Sequence, residues 1–94
     1  MPSATRIGDE CTGHGCFPPR VNDEGSSNVF INGVGAHRQG DHWVTHCCDD
    51  KCHDSSAASG SSSVYINGIS GMRVGDPIGC GSAVAQGSSN VFFG

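Results

Sequence analysis

Four residues at matched places in an internal repeat carry the chemistry this sequence offers: His14, His46, His53 and Cys80. Counted from the Gly-Asp pairs, His14 follows Asp9 by five residues, His46 follows Asp41 by five, and Cys80 follows Asp76 by four. Counted back from the next Gly-Ser-Ser segment, His53 precedes Gly60 by seven residues, as Cys80 precedes Gly87. Three imidazoles and one thiolate make a closed tetrahedral shell, the pattern of a structural zinc site with no position left for water. Donors of this softness favour one Zn2+, with iron second. The competing ligand is His42, which follows Asp41 directly and stands as an alternative to His46 or His53. Glu10 and Pro77 hold its repeat equivalents, which puts His42 on the rim. His37, just before Arg38, is expected at the surface.

The other cysteines are less constrained. Cys47, Cys48 and Cys52 crowd beside His53 and read either as a second metal site or as a disulfide from Cys47 or Cys48 to Cys52. Cys11 and Cys16 are a further candidate pair. The run from Cys48 to His53 has three spacers where a c-type haem attachment has two, so haem is not expected. No nucleophile elbow, phosphate loop or metalloprotease helix motif occurs. The chain is expected to have no catalytic residues and not to be an enzyme.

What must position these ligands is a β scaffold. Leucine is absent, the aliphatic residues are almost all Val and Ile, and there are 15 glycines. That composition favours strands over helices. Ninety-four residues suit one domain, 1–94, with no effector extension expected before or after it, and with a core thin enough to need a metal, disulfide or partner. The unit Gly-Ser-Ser-Asn-Val-Phe-Ile-Asn-Gly at Gly25–Gly33 returns at Gly60–Gly68 and, shortened, at Gly87–Gly94. Arg-x-Gly-Asp occurs at Arg6–Asp9, Arg38–Asp41 and Arg73–Asp76, alternating with it. Each Val-aromatic-apolar stretch predicts a short strand, and Asn-Gly supplies the positive-φ pair of a tight hairpin turn. Three such hairpins about a pseudo-threefold axis predict one compact all-β body. Each Asp is expected to take turn N–H bonds or to pair with its own Arg.

Several classes are excluded. A net charge of −4 with no basic block argues against nucleic acid. No run approaches the ~18 apolar residues of a membrane span. Met1–Asp9 contains no apolar stretch of a secretory signal, so synthesis in a reducing cytoplasm is expected, where six cysteines beside five histidines suggest metal before crosslinks.

The segments Gly25–Gly33 and Gly60–Gly68, the Thr12-Gly13-His14-Gly15 stretch, and Arg38 and Arg73 followed by Gly-Asp resemble the PAAR-repeat family over essentially the whole chain. Gly35-Ala36-His37-Arg38 and Ser70-Gly71-Met72-Arg73 keep the Arg but lack the proline of the naming motif. The resemblance implies a sharp cone with one zinc near its apex, held by three His and one Cys, which by position are His14, His46, His53 and Cys80. It also implies a partner, the blunt end of a homotrimeric β-helical spike from a type VI secretion system or a contractile phage tail. One copy per trimer would cap and sharpen the spike and be carried through the target envelope, which is pierced mechanically. The docking base is expected to include Val29, Ile31, Val64, Ile66 and Val91, with the core as the other location for Val29 and Val64. The rival reading, from another class, is a small soluble zinc-binding module with no spike partner.

Overall fold

The computed structural model describes residues 1–94, and all of its regular structure is β. Two short hairpins, β1 (Phe30–Ile31) with β2 (Val34–Gly35) and β5 (Tyr65–Ile66) with β6 (Ile69–Ser70), arise from the first two repeat copies. Their turns have the left-handed φ pair that Asn-Gly tolerates: 54° and 77° at Asn32-Gly33, and 56° and 77° at Asn67-Gly68. The third copy forms no hairpin of its own, which departs from the expected three. Its returning strand is the other end of the chain. Ser3 bridges Phe92, Ala4 N donates to Val91 O, and Phe93 N donates to Pro2 O. Ala36 N to Val29 O and Gly71 N to Val64 O are the same bond in the first two units.

The three returning segments cross at the centre of the molecule. There Thr5 N donates to Met72 O (2.9 Å), Met72 N to His37 O (3.0 Å) and His37 N to Thr5 O (3.0 Å). This closed ring of three backbone bonds marks the pseudo-threefold axis. All three side chains on it are buried, and His37, expected at the surface, is fully so. Its position is the axial one that Thr5 and Met72 hold in the other units. Its Nδ1 donates to the Glu24 carbonyl at 2.6 Å, and burial holds its pKa below the usual histidine range.

One layer out, each Arg-x-Gly-Asp folds identically. The Asp carboxylate accepts from its own Arg backbone N–H at 2.8, 2.9 and 2.8 Å, and from the same guanidinium through Nε and Nη2. The glycine takes φ of 89°, 87° and 95° at Gly8, Gly40 and Gly75, which a side chain would resist.

On one side of the axial ring lies the base. Ser26, Ser61 and Ser88 are buried, and each hydroxyl caps the N–H groups two and three residues on. Each also reaches the turn of the next unit: Ser26 to Asn67 Oδ1 at 2.7 Å, Ser88 to Asn32 Oδ1 at 2.6 Å, and Ser61 to the Gly94 carbonyl. The ring closes unit one on two, two on three and three on one. Ala4, Ile31, Ala36 and Ile66, with Val91 and Phe93 against them, form the apolar cluster inside it. On the opposite side Cys11, Trp43, Ala57, Met72, Ile78 and Val84 form a second cluster. Beyond it rise three unequal loops, residues 10–21, 42–56 and 77–83. The middle one is the longest hairpin, β3 (His42–Cys48) with β4 (Lys51–Ser56), and it makes the molecule elongated at 37 × 24 × 21 Å.

Candidate metal centre

Each of the three unequal loops contributes to one cluster. In the first, His14 N donates to Phe17 O and Phe17 N to His14 O, a tight turn that lifts the imidazole off the loop. Gly13 is required there: its φ is 72°, and a Cβ would lie 2.6 Å from Phe17 O. In the second, His46 and His53 are direct cross-strand partners of β3 and β4, so their side chains share one face. The third loop is short and places Cys80 between Gly79 and Gly81.

The Nδ1, Nε2 or Sγ donors of His14, His46, His53 and Cys80 lie within 4.8 Å of one another. His14 Nε2 is 3.1 Å from His53 Nε2, and His46 Nε2 is 2.8 Å from it. His46 Nδ1 is 2.8 Å from the Pro18 carbonyl. A carbonyl only accepts, so the His46 proton sits on Nδ1 and its Nε2 lone pair faces the other rings. Lone pairs converging in this way repel unless a proton or a cation lies between them. A tetrahedral ion with bonds of ~2.0–2.3 Å needs donors roughly 3.3–3.7 Å apart, so this donor set fits one with small adjustment.

The surroundings suit a cation held by neutral imidazoles. Desolvation and the charges of His46, His53 and Arg20 hold the His14 pKa below its usual range, which leaves a lone pair available at neutral pH. Phe17 covers the three rings, with centroid distances of 4.8 Å to His14, 4.9 Å to His46 and 4.2 Å to His53.

His42 is not in this group. It lies exposed between Asp23 and Asp54, 2.7 and 2.8 Å away, and these carboxylates, Asp54 foremost, raise its pKa. The remaining cysteines gather at the far end of the hairpin. Cys47 pairs with Cys52, directly across the strands, and Cys16 pairs with Cys48, joining the first loop to the second. The Cys11–Cys16 alternative is not formed, and Cys11 is free and buried. Of the residues expected at the base surface, Val29, Val64 and Val91 are at least partly exposed, but Ile31 and Ile66 are 6% and 4% exposed and belong to the core. The exposed aromatics are their neighbours Phe30, Tyr65 and Phe92. Strand alternation was the signal that separates these from the isoleucines.

Sequence counting did not find Arg20, which touches both free cysteines, because no repeat equivalent marks it. Compared with known protein families, residues 14–86 match the one described as the PAAR motif, a span that includes all four clustered donors. No curated protein matches the chain.

Proposed function

The chain belongs to the PAAR-motif family, which is associated with spike-tip proteins of contractile injection systems, and from that premise we propose that it caps and sharpens a trimeric β-helical spike. PAAR proteins are a structural family, not an enzyme family. The observation that carries the reading is an apolar feature repeated three times around the base. Phe30, Tyr65 and Phe92 stand at the same repeat position and are 59%, 59% and 46% exposed. Val29, Val34 and Ile69 extend the exposed apolar surface beside them. Exposed apolar side chains repeated at one position of three units suit an interaction surface. One chain offering three near-equivalent edges suits one trimer and would cover its unpaired strand ends.

The opposite end would meet the target envelope. Zinc at His14, His46, His53 and Cys80 is the ion this reading assigns, since a closed three-nitrogen, one-sulfur shell serves structure. It would stiffen a point too narrow for a hydrophobic core. The same cone would serve a phage tail or a type VI secretion system.

The test is native mass spectrometry of the chain co-purified with a trimeric β-helical spike, where one chain per three spike chains is expected. Phe30→Glu, Tyr65→Glu and Phe92→Glu combined should abolish the complex without unfolding the protein, because these rings are exposed. A 3:3 ratio, or no complex with any β-helical spike of the same genome, would overturn the cap and leave a soluble metal-binding module.

A further inference from the structure

We propose that Arg20 is the positioning residue of the metal centre, its buried guanidinium holding the Cys80 sulfur toward the three imidazoles and moderating the donation of that sulfur to the metal. The inference rests on the metal-centre reading above. Arg6, Arg38 and Arg73 each pair with the Asp three residues on, but Arg20 pairs with no carboxylate. Yet Arg20 is the buried arginine, at 7% exposure. A cation taken out of water without an anion is costly, so its surroundings must supply negative charge.

Its contacts identify the source. Nε donates to the Val44 carbonyl at 2.7 Å, Nη1 lies 3.2 Å from Cys11 Sγ, and Nη2 lies 3.4 Å from Cys80 Sγ. The guanidinium carbon sits 5.5 Å from the Trp43 ring centroid. Only the two sulfurs can become anionic. Cys11 occupies the repeat position of Trp43 and Ile78, inside the apical core. Burial raises its thiol pKa, but hydrogen bonds from Ser82, Arg20 and Gly13 outweigh this and leave it below the usual range.

The planar fork thus ties two sulfurs to β3 through Val44, two residues before His46. Cys80 needs such a tie. It lies on the shortest of the three loops, outside any strand, and Gly79 and Gly81 on either side give its backbone freedom. A charged N–H directed at a metal-bound thiolate also draws on the sulfur lone pairs, as outer partners of metal ligands do.

The full-length chain loaded with cobalt tests this, because the near-ultraviolet sulfur-to-cobalt charge-transfer band reports the electron density on Cys80. In Arg20→Gln, which keeps a donor for the Val44 carbonyl and loses the charge, the band should move to lower energy. Its zinc dissociation constant, read by competition with a chromogenic chelator, should rise about 10–100-fold. Arg20→Lys, charged but unable to span both sulfurs, should show a smaller shift of the same sign. Cys11→Ala leaves Arg20 on Cys80 and should leave the band in place. A folded Arg20→Gln chain with an unmoved band and unchanged zinc constant overturns the proposal. So does a Cys11→Ala shift as large as that of Arg20→Gln, which would make Arg20 a packing residue. If Arg20→Gln does not fold, Arg20→Lys decides alone, and a band at the wild-type position overturns the role. A wild-type chain without any such band overturns the metal centre itself, whereas a wild-type band that ignores Arg20 overturns only this inference.

Discussion

At the base, Ser26, Ser61 and Ser88 cap the same N–H groups and reach the same turn of the next unit, three times around the axis. On the apical side, by contrast, the loops repeat only at their feet, where Thr12 N donates to Ala83 O, Val44 N to Val21 O and Gly79 N to Ser56 O; beyond that ring they differ in length and in ligand. The base is held by many small terms: buried serines, backbone bonds and a shallow apolar cluster. The apical side buries its own cluster of Cys11, Trp43, Ala57, Met72, Ile78 and Val84, and the loops that rise beyond it are held by four converging donors and two disulfides. Symmetry suffices where the chain is wide enough to close a ring of backbone bonds. Where it narrows, cross-links replace burial, as in other small domains.

If this contrast holds, losing the metal should have the largest effect and should be confined to one end. His46→Ala, or exhaustive chelation, is expected to cost on the order of 3–5 kcal/mol. That lowers the melting temperature by more than about 12 °C for a domain this size. Hydrogen exchange should show residues 10–21 and 42–56 losing protection while the amides of Thr5, His37 and Met72 keep theirs. Equal loss of protection at both ends would break the comparison. Next is a pair of glycines at the base. A Cβ at Gly60 would sit 2.5 Å from Gly71 O, whereas at Gly33 it meets nothing and only the φ of 77° resists. Gly60→Ala should therefore cost about 1–3 kcal/mol by forcing backbone apart, and Gly33→Ala about 1 kcal/mol. Denaturant midpoints that rank the two the other way would contradict the tight packing of the base.

Single caps come third. Ser26→Ala and Ser88→Ala should each cost about 1 kcal/mol and match each other in urea unfolding. Unequal losses would mean that the ring is not energetically threefold. A pH dependence follows from His37 at the axis. Its folded pKa lies below its unfolded value, so the unfolded chain binds the proton more readily and stability falls as pH drops through about 6.5. His37→Met, which copies the residue at the equivalent position 72, should flatten that part of the stability profile. An unchanged slope would remove His37 as its source. The smallest effect belongs to His42. Its raised pKa gives a contribution present at low pH and lost as pH rises through the folded value. Being exposed, it should matter by less than ~0.5 kcal/mol, and His42→Ala should bind metal as the parent does.

The β class, the repeat, the Asn-Gly turns and the Arg–Asp pairs were legible in the sequence because each is a local rule. A positive-φ pair needs Asn-Gly, and a carboxylate three residues after an arginine folds back onto it wherever a glycine allows the turn. Repetition then makes a local rule visible three times. The four clustered donors were also countable, although for His46 and His53 the physical reason is the cross-strand register of β3 and β4, which counting along the repeat did not contain. Only the tertiary structure decided the rest. His37 is buried because the axis passes through its position, and Ile31 and Ile66 are core because strand alternation turns them inward. The third unit is completed by residues 2–4, and Arg20 joins Cys11 of its own loop to Cys80, 60 residues away. These outcomes depend on which segments meet across the axis, and contacts between segments distant in the chain leave no spacing for a single sequence to display.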